Sequence, residues 1–183
     1  MLRICILGAD CTGKTTISKE LAQYFGGLYV PEFARIFLSG RTAQLQLTDM
    51  ISIARGQVEL EASICSVCSV EKEIAFCDGS PLASVVWSRR YFGACAKELT
   101  EIAAIHTYDK YLLCSTDLPW KPDGLRNSLQ FRDWLEIAFC TEMSDRDLQY
   151  ARVSGAGPLR LACAVATLRA AFPQLRGHNS GGL

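Results

Sequence analysis

The stretch Gly8-Ala9-Asp10-Cys11-Thr12-Gly13-Lys14-Thr15 carries the types and spacing of a phosphate-binding loop. Its glycines let backbone N–H groups turn inward around phosphate oxygens, Lys14 can reach the outer phosphates, and the Thr15 hydroxyl can sit on Mg²⁺. Thr16 leads on into a helix-forming run, whose N-terminus adds a positive dipole end. Two glycines, a lysine and a hydroxyl residue at these offsets arise by chance in well under about 1% of chains of this length, so a glycine-rich turn that binds nothing is the weaker reading. Asp78 is the second candidate: it closes the apolar run Ile74-Ala75-Phe76-Cys77, and an acid at a strand end beside a phosphate loop is where Mg²⁺ or its waters are held. Asp78-Gly79 also reads as a plain turn. No Asn-Lys-x-Asp occurs, which argues against a guanine-specific switch.

These residues need elements to position them, and the hydrophobic pattern supplies a regular alternation. Residues 2–7 read as a buried strand, 16–25 as a helix with Ile17, Leu21 and Tyr24 or Phe25 on one face, and Leu28-Tyr29-Val30 as a short strand cut by Pro31. Then come a short helix over 32–39, a long helix over 49–70 with Thr48 as its N-cap, and the strand over 74–77. Ser80-Pro81 starts a helix to about Arg90, ended by Gly93; another covers 95–105. A strand over 110–114, a loop over 115–127, a helix over 129–143, a strand over 150–153, the Gly155-Ala156-Gly157-Pro158 turn and a helix to Phe172 complete the order. Strands alternating with helices imply an α/β three-layer sandwich around a parallel sheet, with ligands at the strand C-terminal ends. Both the 8–15 loop and Asp78 fall on that edge.

Bulk composition narrows the partners. The 183 residues suit one domain, expected over 1–176, with a disordered tail over 177–183. Nineteen basic residues balance nineteen acidic ones, which favours a small anionic ligand over nucleic acid or a membrane surface. Apolar runs are too short to span a bilayer, and the chain opens on a strand, so a cytoplasmic location is expected. Nine cysteines, odd in number and scattered, read as reduced packing residues where they fall in strands, as Cys5, Cys77 and Cys114 do. Cys65-Ser66-Val67-Cys68 lacks the further ligands of a zinc site. His106 and His178 are expected to face solvent.

Further segments add to this reading: Val30-Pro31-Glu32-Phe33-Ala34-Arg35, Ile53-Ala54-Arg55-Gly56-Gln57, Val86-Trp87-Ser88 with Tyr91-Phe92-Gly93, and Leu118-Pro119-Trp120-Lys121-Pro122-Asp123-Gly124-Leu125-Arg126. With the phosphate loop, and in this order over roughly residues 2–165, they resemble the ribosylnicotinamide kinase domain of NadR-type proteins and its AAA-like relatives. The resemblance implies a P-loop NTPase fold of nucleoside-kinase type with a lid after the fourth strand. It implies transfer of the ATP γ-phosphate, with Mg²⁺, to the ribose 5′-hydroxyl of nicotinamide riboside. Gly8 to Thr16 would hold the nucleotide with Arg126 and Arg132, and Thr15 and Asp78 the metal. Lys14, Asp78, Arg126 and Glu32 would carry the chemistry. Glu32, Arg35, Trp87, Tyr91, Trp120 and Asp123 would contact the acceptor.

Several of these residues have plainer readings. Trp87 and Tyr91, four apart on a helix, also describe two core aromatics. Arg132 could simply pair with Glu136 one turn on, and Glu32 could be a helix-start acid. Trp120, between two prolines in a loop, is harder to explain as core. Two positions depart from the family pattern: Cys11 stands where Ser is common, and Ser80 stands two residues after Asp78 where a second acid is common. A nucleotide-binding regulator without acceptor phosphorylation, and a kinase for a different nucleoside, therefore stay as alternatives.

Overall fold

Along the first strand, β1 (Leu2–Gly8), alternate residues enter two different cores, and this sets the architecture. Ile4 and Ile6 pack with the helix α1 (Lys14–Phe25) and a C-terminal helix, while Cys5 and Leu7 pack on the opposite face. A strand buried on both faces needs apolar residues at nearly every position, as this one has. In the computed structural model, which describes residues 1–68, 72–120, 131–175 and 177, the remaining elements are β2 (Leu28–Val30), α2 (Phe33–Leu38), α3 (Leu47–Cys68), β3 (Ile74–Asp78), α4 (Pro81–Phe92), α5 (Lys97–Ile105), β4 (Lys110–Cys114), α6 (Arg132–Ser144), β5 (Tyr150–Val153) and α7 (Pro158–Ala171).

The five strands are all parallel in the order β2-β3-β1-β4-β5. One face carries α1 and α7; the other carries α3, α4, α5 and α6. The expected three-layer α/β sandwich with a parallel sheet is therefore the fold. The register places Ile6 beside Asp78 and Gly8 beside Cys114, so the loops after β1, β3 and β4 emerge together at one edge. Among the described residues no helix is long and apolar enough to cross a membrane.

Local chemistry explains most element ends. Ser80 caps α4 by accepting from the Ala83 N–H, and Gly93 ends it in a left-handed conformation. The expected Thr48 cap is not used. Helix α3 starts at Leu47, and the Asp49 carboxylate accepts instead from the Gln46 N–H at 2.8 Å. Cys5, Cys77 and Cys114 are buried packing residues as expected. His106 is not solvent-facing: its Nε2 lies 2.7 Å from the buried Glu61 carboxylate, which also accepts from Tyr108 and Gln57. Arg126, Asp123 and the start of the helix expected from 129 lie outside the described residues, as does the expected tail apart from Gly177.

Candidate active site

The loop from Gly8 to Gly13 is tight because it folds onto its own backbone. A methyl group at Gly8 would sit 2.8 Å from both the Cys114 carbonyl and the Thr12 hydroxyl, so the strand can turn only without a side chain there. Cys11 and Gly13 both have positive φ, 57° and 78°, the kind of sequence that turns successive N–H groups to one side as an anion-holding nest. Thr12 Oγ donates to the Ala9 carbonyl at 2.8 Å, and the buried Lys14 Nζ reaches the same carbonyl at 2.9 Å. Asp10 is buried within the turn, and Thr16 lies exposed on the first turn of α1.

Asp78 joins this loop from β3. It is wholly buried, and its Oδ2 accepts from the Thr15 hydroxyl at 2.6 Å and from the Tyr29 hydroxyl at 3.4 Å. Burial raises its pKa above the usual carboxylate range, opposed by the Lys14 charge and the Thr15 hydrogen bond. Tyr29, on β2, has its own pKa raised by burial and by the Asp78 charge, so it stays a neutral donor. Asp78 Oδ1 is buried with no hydrogen-bond partner among the described residues. A buried carboxylate oxygen beside a hydroxyl is a hard oxygen pair, and it fits Mg²⁺, which takes one or two carboxylates and completes its shell with water and phosphate.

Beyond Gly79 opens a cavity of about 280 Å³ between α2, α3 and α4. Glu32, Arg41, Gln57, Ser84, Trp87 and Tyr91 are among the residues on its wall. Two of the plain readings are thereby answered in part. Glu32 is buried at the start of α2, with Arg35 Nε 3.2 Å from its carboxylate. Trp87 is largely buried and stacked on the half-exposed Tyr91, with ring centroids 5.3 Å apart and 19° between planes. The pair serves the core and the cavity wall at once. Ser80, the position lacking an acid, is occupied by its capping role, but Glu32 Cγ lies 3.4 Å from where a methyl at Gly79 would point. A second carboxylate thus stands close to Asp78, supplied by a different part of the chain.

Helix α2 holds this acid because α3 is shaped for it. Gln57 Oε1 accepts from the Phe33 N–H at 2.8 Å, satisfying a donor in the first turn of α2, and Gln57 Nε2 donates to the buried Glu61. Any side chain at Gly56 would collide with the Phe33 ring. Gly56 and Gln57 are therefore a seat for the Glu32 turn.

Two expected contacts are placed elsewhere. Trp120 is half-buried and does not line the cavity, because it follows β4, on the other side of β1 from the β3 and β2 edge where the cavity opens. Arg132 does not pair with Glu136. It is buried and donates to the Thr116 and Leu118 carbonyls at 3.2 and 3.0 Å, while Glu136 accepts from Thr116 and pairs with Arg152. Arg132 therefore shapes the loop after β4. Tyr29 and the buried Arg160 escaped the sequence reading, and Gln57 entered it only within the Ile53-Ala54-Arg55-Gly56-Gln57 segment, with no role given. Arg160 had one signal, a cation in the first turn of a helix, where the dipole disfavours it unless something else holds it.

Comparisons with known proteins agree with this fold. A family described as AAA domain matches residues 3–159. The trifunctional NAD biosynthesis/regulator protein NadR of Escherichia coli (strain K12) is 26% identical over 156 residues, covering 82% of this chain and 37% of that protein. A crystal structure of NadR protein in complex with NR superimposes with a TM-score of 0.80 at 17% identity, covering 99% of this chain and 54% of that one. NadR in complex with NAD and AMP-PNP gives 0.76 at 18% identity over 98% of this chain and 52% of that one. Thymidylate kinase from Ehrlichia chaffeensis gives 0.69 at 14% identity, covering 92% of this chain and 97% of that one. The chain thus spans little more than a third of the curated relative and about half of the NadR structures.

Proposed function

The chain belongs to the AAA-domain family, and from that premise we propose that it is an ATP-dependent kinase that phosphorylates the ribose 5′-hydroxyl of a nucleoside, with nicotinamide riboside as the acceptor and the mononucleotide as product. The observation that carries this reading is the meeting of the two halves at Asp78: the phosphate loop on one side through Thr15, and on the other a cavity bearing Glu32 and a stacked aromatic pair. The likeness to NadR, whose structures hold NR and AMP-PNP, supports the acceptor and the donor.

In this reading the loop amides and Lys14 hold the donor phosphates. Thr15 and Asp78 would hold Mg²⁺, which would supply positive charge to offset that of the donor phosphates. The acceptor oxygen displaces ADP from the γ-phosphorus, and its proton passes to the carboxylate side of the site, where Glu32 or Asp78 orients the hydroxyl. Trp87 and Tyr91 suit a flat cationic ring, for which cation–π attraction contributes about 0.5–2 kcal/mol. Arg126 and Asp123, outside the described residues, keep the roles the resemblance implies, phosphate and ribose contact respectively. Most of the rate would come from positioning and electrostatics.

A nucleotide-binding regulator without acceptor phosphorylation drew its support from the missing acid at position 80. Glu32 beside Gly79 weakens that support. Purified protein given MgATP and nicotinamide riboside should produce ADP and the mononucleotide in equal amounts, and Lys14→Ala should abolish both. A panel of nucleosides separates acceptors, and nucleotide binding with no product from any of them would establish the regulator instead.

A further inference from the structure

Arg160 lies in the first turn of α7, yet it is only 4% exposed, and both terminal nitrogens of its fork, though not the buried Nε, donate to loops at the ligand edge. Nη2 donates to the Thr12 carbonyl at 2.9 Å and the Ser115 carbonyl at 2.8 Å. Nη1 donates to the Gly155 carbonyl at 2.6 Å and to Asp117 Oδ1 at 2.8 Å. The other Asp117 oxygen accepts from the Gly155 N–H at 2.6 Å, so one acid fixes both the guanidinium and the turn after β5.

We propose that Arg160, steered by Asp117, is a positioning residue that aims the phosphate loop at the donor nucleotide. A trans peptide is planar, with its C=O and N–H on opposite sides. Holding the Thr12 oxygen against α7 therefore points the Gly13 N–H away from α7, toward the hollow that Lys14 and Thr15 border. Gly13 has no side chain to resist rotation of that peptide, and the guanidinium Nε lies 3.8 Å from where its Cβ would stand. The clasp supplies the restraint that glycine lacks. Lysine cannot replace it, because one ammonium cannot reach four acceptors spread over a planar fork.

This inference rests on the reading of the loop as the donor site, and the test keeps the two apart. Calorimetric titration of MgADP into the wild-type chain examines the donor site itself; no binding would remove that reading and this one with it. Given wild-type binding, R160K should raise the Kd for MgADP and the KM for MgATP by about tenfold, the scale of a lost charge-assisted hydrogen bond, with the acceptor KM unchanged. D117N, at a partly exposed position, should shift the same constants by about threefold, and the double variant should be no worse than R160K alone. A merely structural role would lower the melting temperature and leave nucleotide affinity intact. MgADP binding by both single variants equal to wild type, or an acceptor KM rising in step with the donor KM, would overturn the proposal. Should R160K fail to fold, D117N alone decides it.

Discussion

Eight consecutive residues make the phosphate loop, whereas the cavity facing it borrows Glu32 from the start of α2, Gln57 from α3 and Trp87 from α4. The loop is held by backbone: positive φ at Cys11 and Gly13, and carbonyls that take bonds from Thr12, Lys14 and Arg160. The cavity is held by side chains, chiefly Gln57 on the Phe33 N–H and the Phe33 ring on Gly56. In the proposed reading, phosphate recognition would tolerate a change such as Cys11 because backbone amides, not the side chain at that position, would meet the phosphate. Acceptor recognition, on the same reading, would depend on how separate helices seat one another.

The largest expected effect falls where the regions meet. Asp78→Asn should cut turnover by about 10²–10³ or more, the scale for losing one electrostatic group in a reactive site. It should also raise the melting temperature at neutral pH. The Asp78 pKa is raised, first by burial, so the folded state binds more protons than the unfolded one between the ordinary carboxylate value and the raised one. Its ionisation thus costs stability as pH rises through that window, and the amide removes the cost. Asp117 has the opposite sign. Desolvation pushes its pKa up, but bonds from Arg160 and the Gly155 N–H prevail and lower it. Its stabilising contribution is present above the ordinary carboxylate value and fades as pH falls toward the lowered one. Thermal melts of wild type, D78N and D117N across acid pH check both signs, and parallel shifts in the two variants would refute the contrast.

Next in size, Glu32→Gln should lower kcat/KM for the acceptor by about 10²-fold while leaving MgADP affinity unchanged, as steady-state kinetics and titration would show. Equal loss on both sides would mean the regions are not separable. Gly56→Ala should destabilise the chain by about 1–3 kcal/mol through overpacking against Phe33, and raise the acceptor KM more than the donor KM. Smallest, Tyr91→Ala should weaken acceptor binding by about 0.5–2 kcal/mol. Because Tyr91 is 47% exposed, the folding cost should stay under about 1.5 kcal/mol, mostly from the lost stack on Trp87.

Local signals carried much of the fold. Gly8 to Thr15, the apolar run Ile4-Cys5-Ile6-Leu7 of a strand buried on both faces, and Ser80-Pro81 ahead of α4 each state their structure within a few residues. Where a cap competed, as at Thr48 against Asp49, composition alone could not choose, since both side chains can accept from an exposed N–H. Trp120 could not be placed because its side of the sheet follows from strand order, not from its prolines. Arg132 and Glu136 sit at pairing distance in sequence, but each found a stronger partner across the fold.

What the amino-acid sequence determined by itself was the phosphate loop, the alternation of strand and helix, and an acid at the end of β3, because these depend on neighbours a few residues apart. Tertiary structure alone decided that Glu32 stands beside Gly79, that Gln57 and Gly56 seat it, and that Arg160 clasps the Thr12 carbonyl from α7. The hydrogen bonds among those contacts join residues 24 and 148 positions apart. They exist only once the parallel sheet has brought its loops to one edge, and nothing in a local pattern records which helix will arrive there.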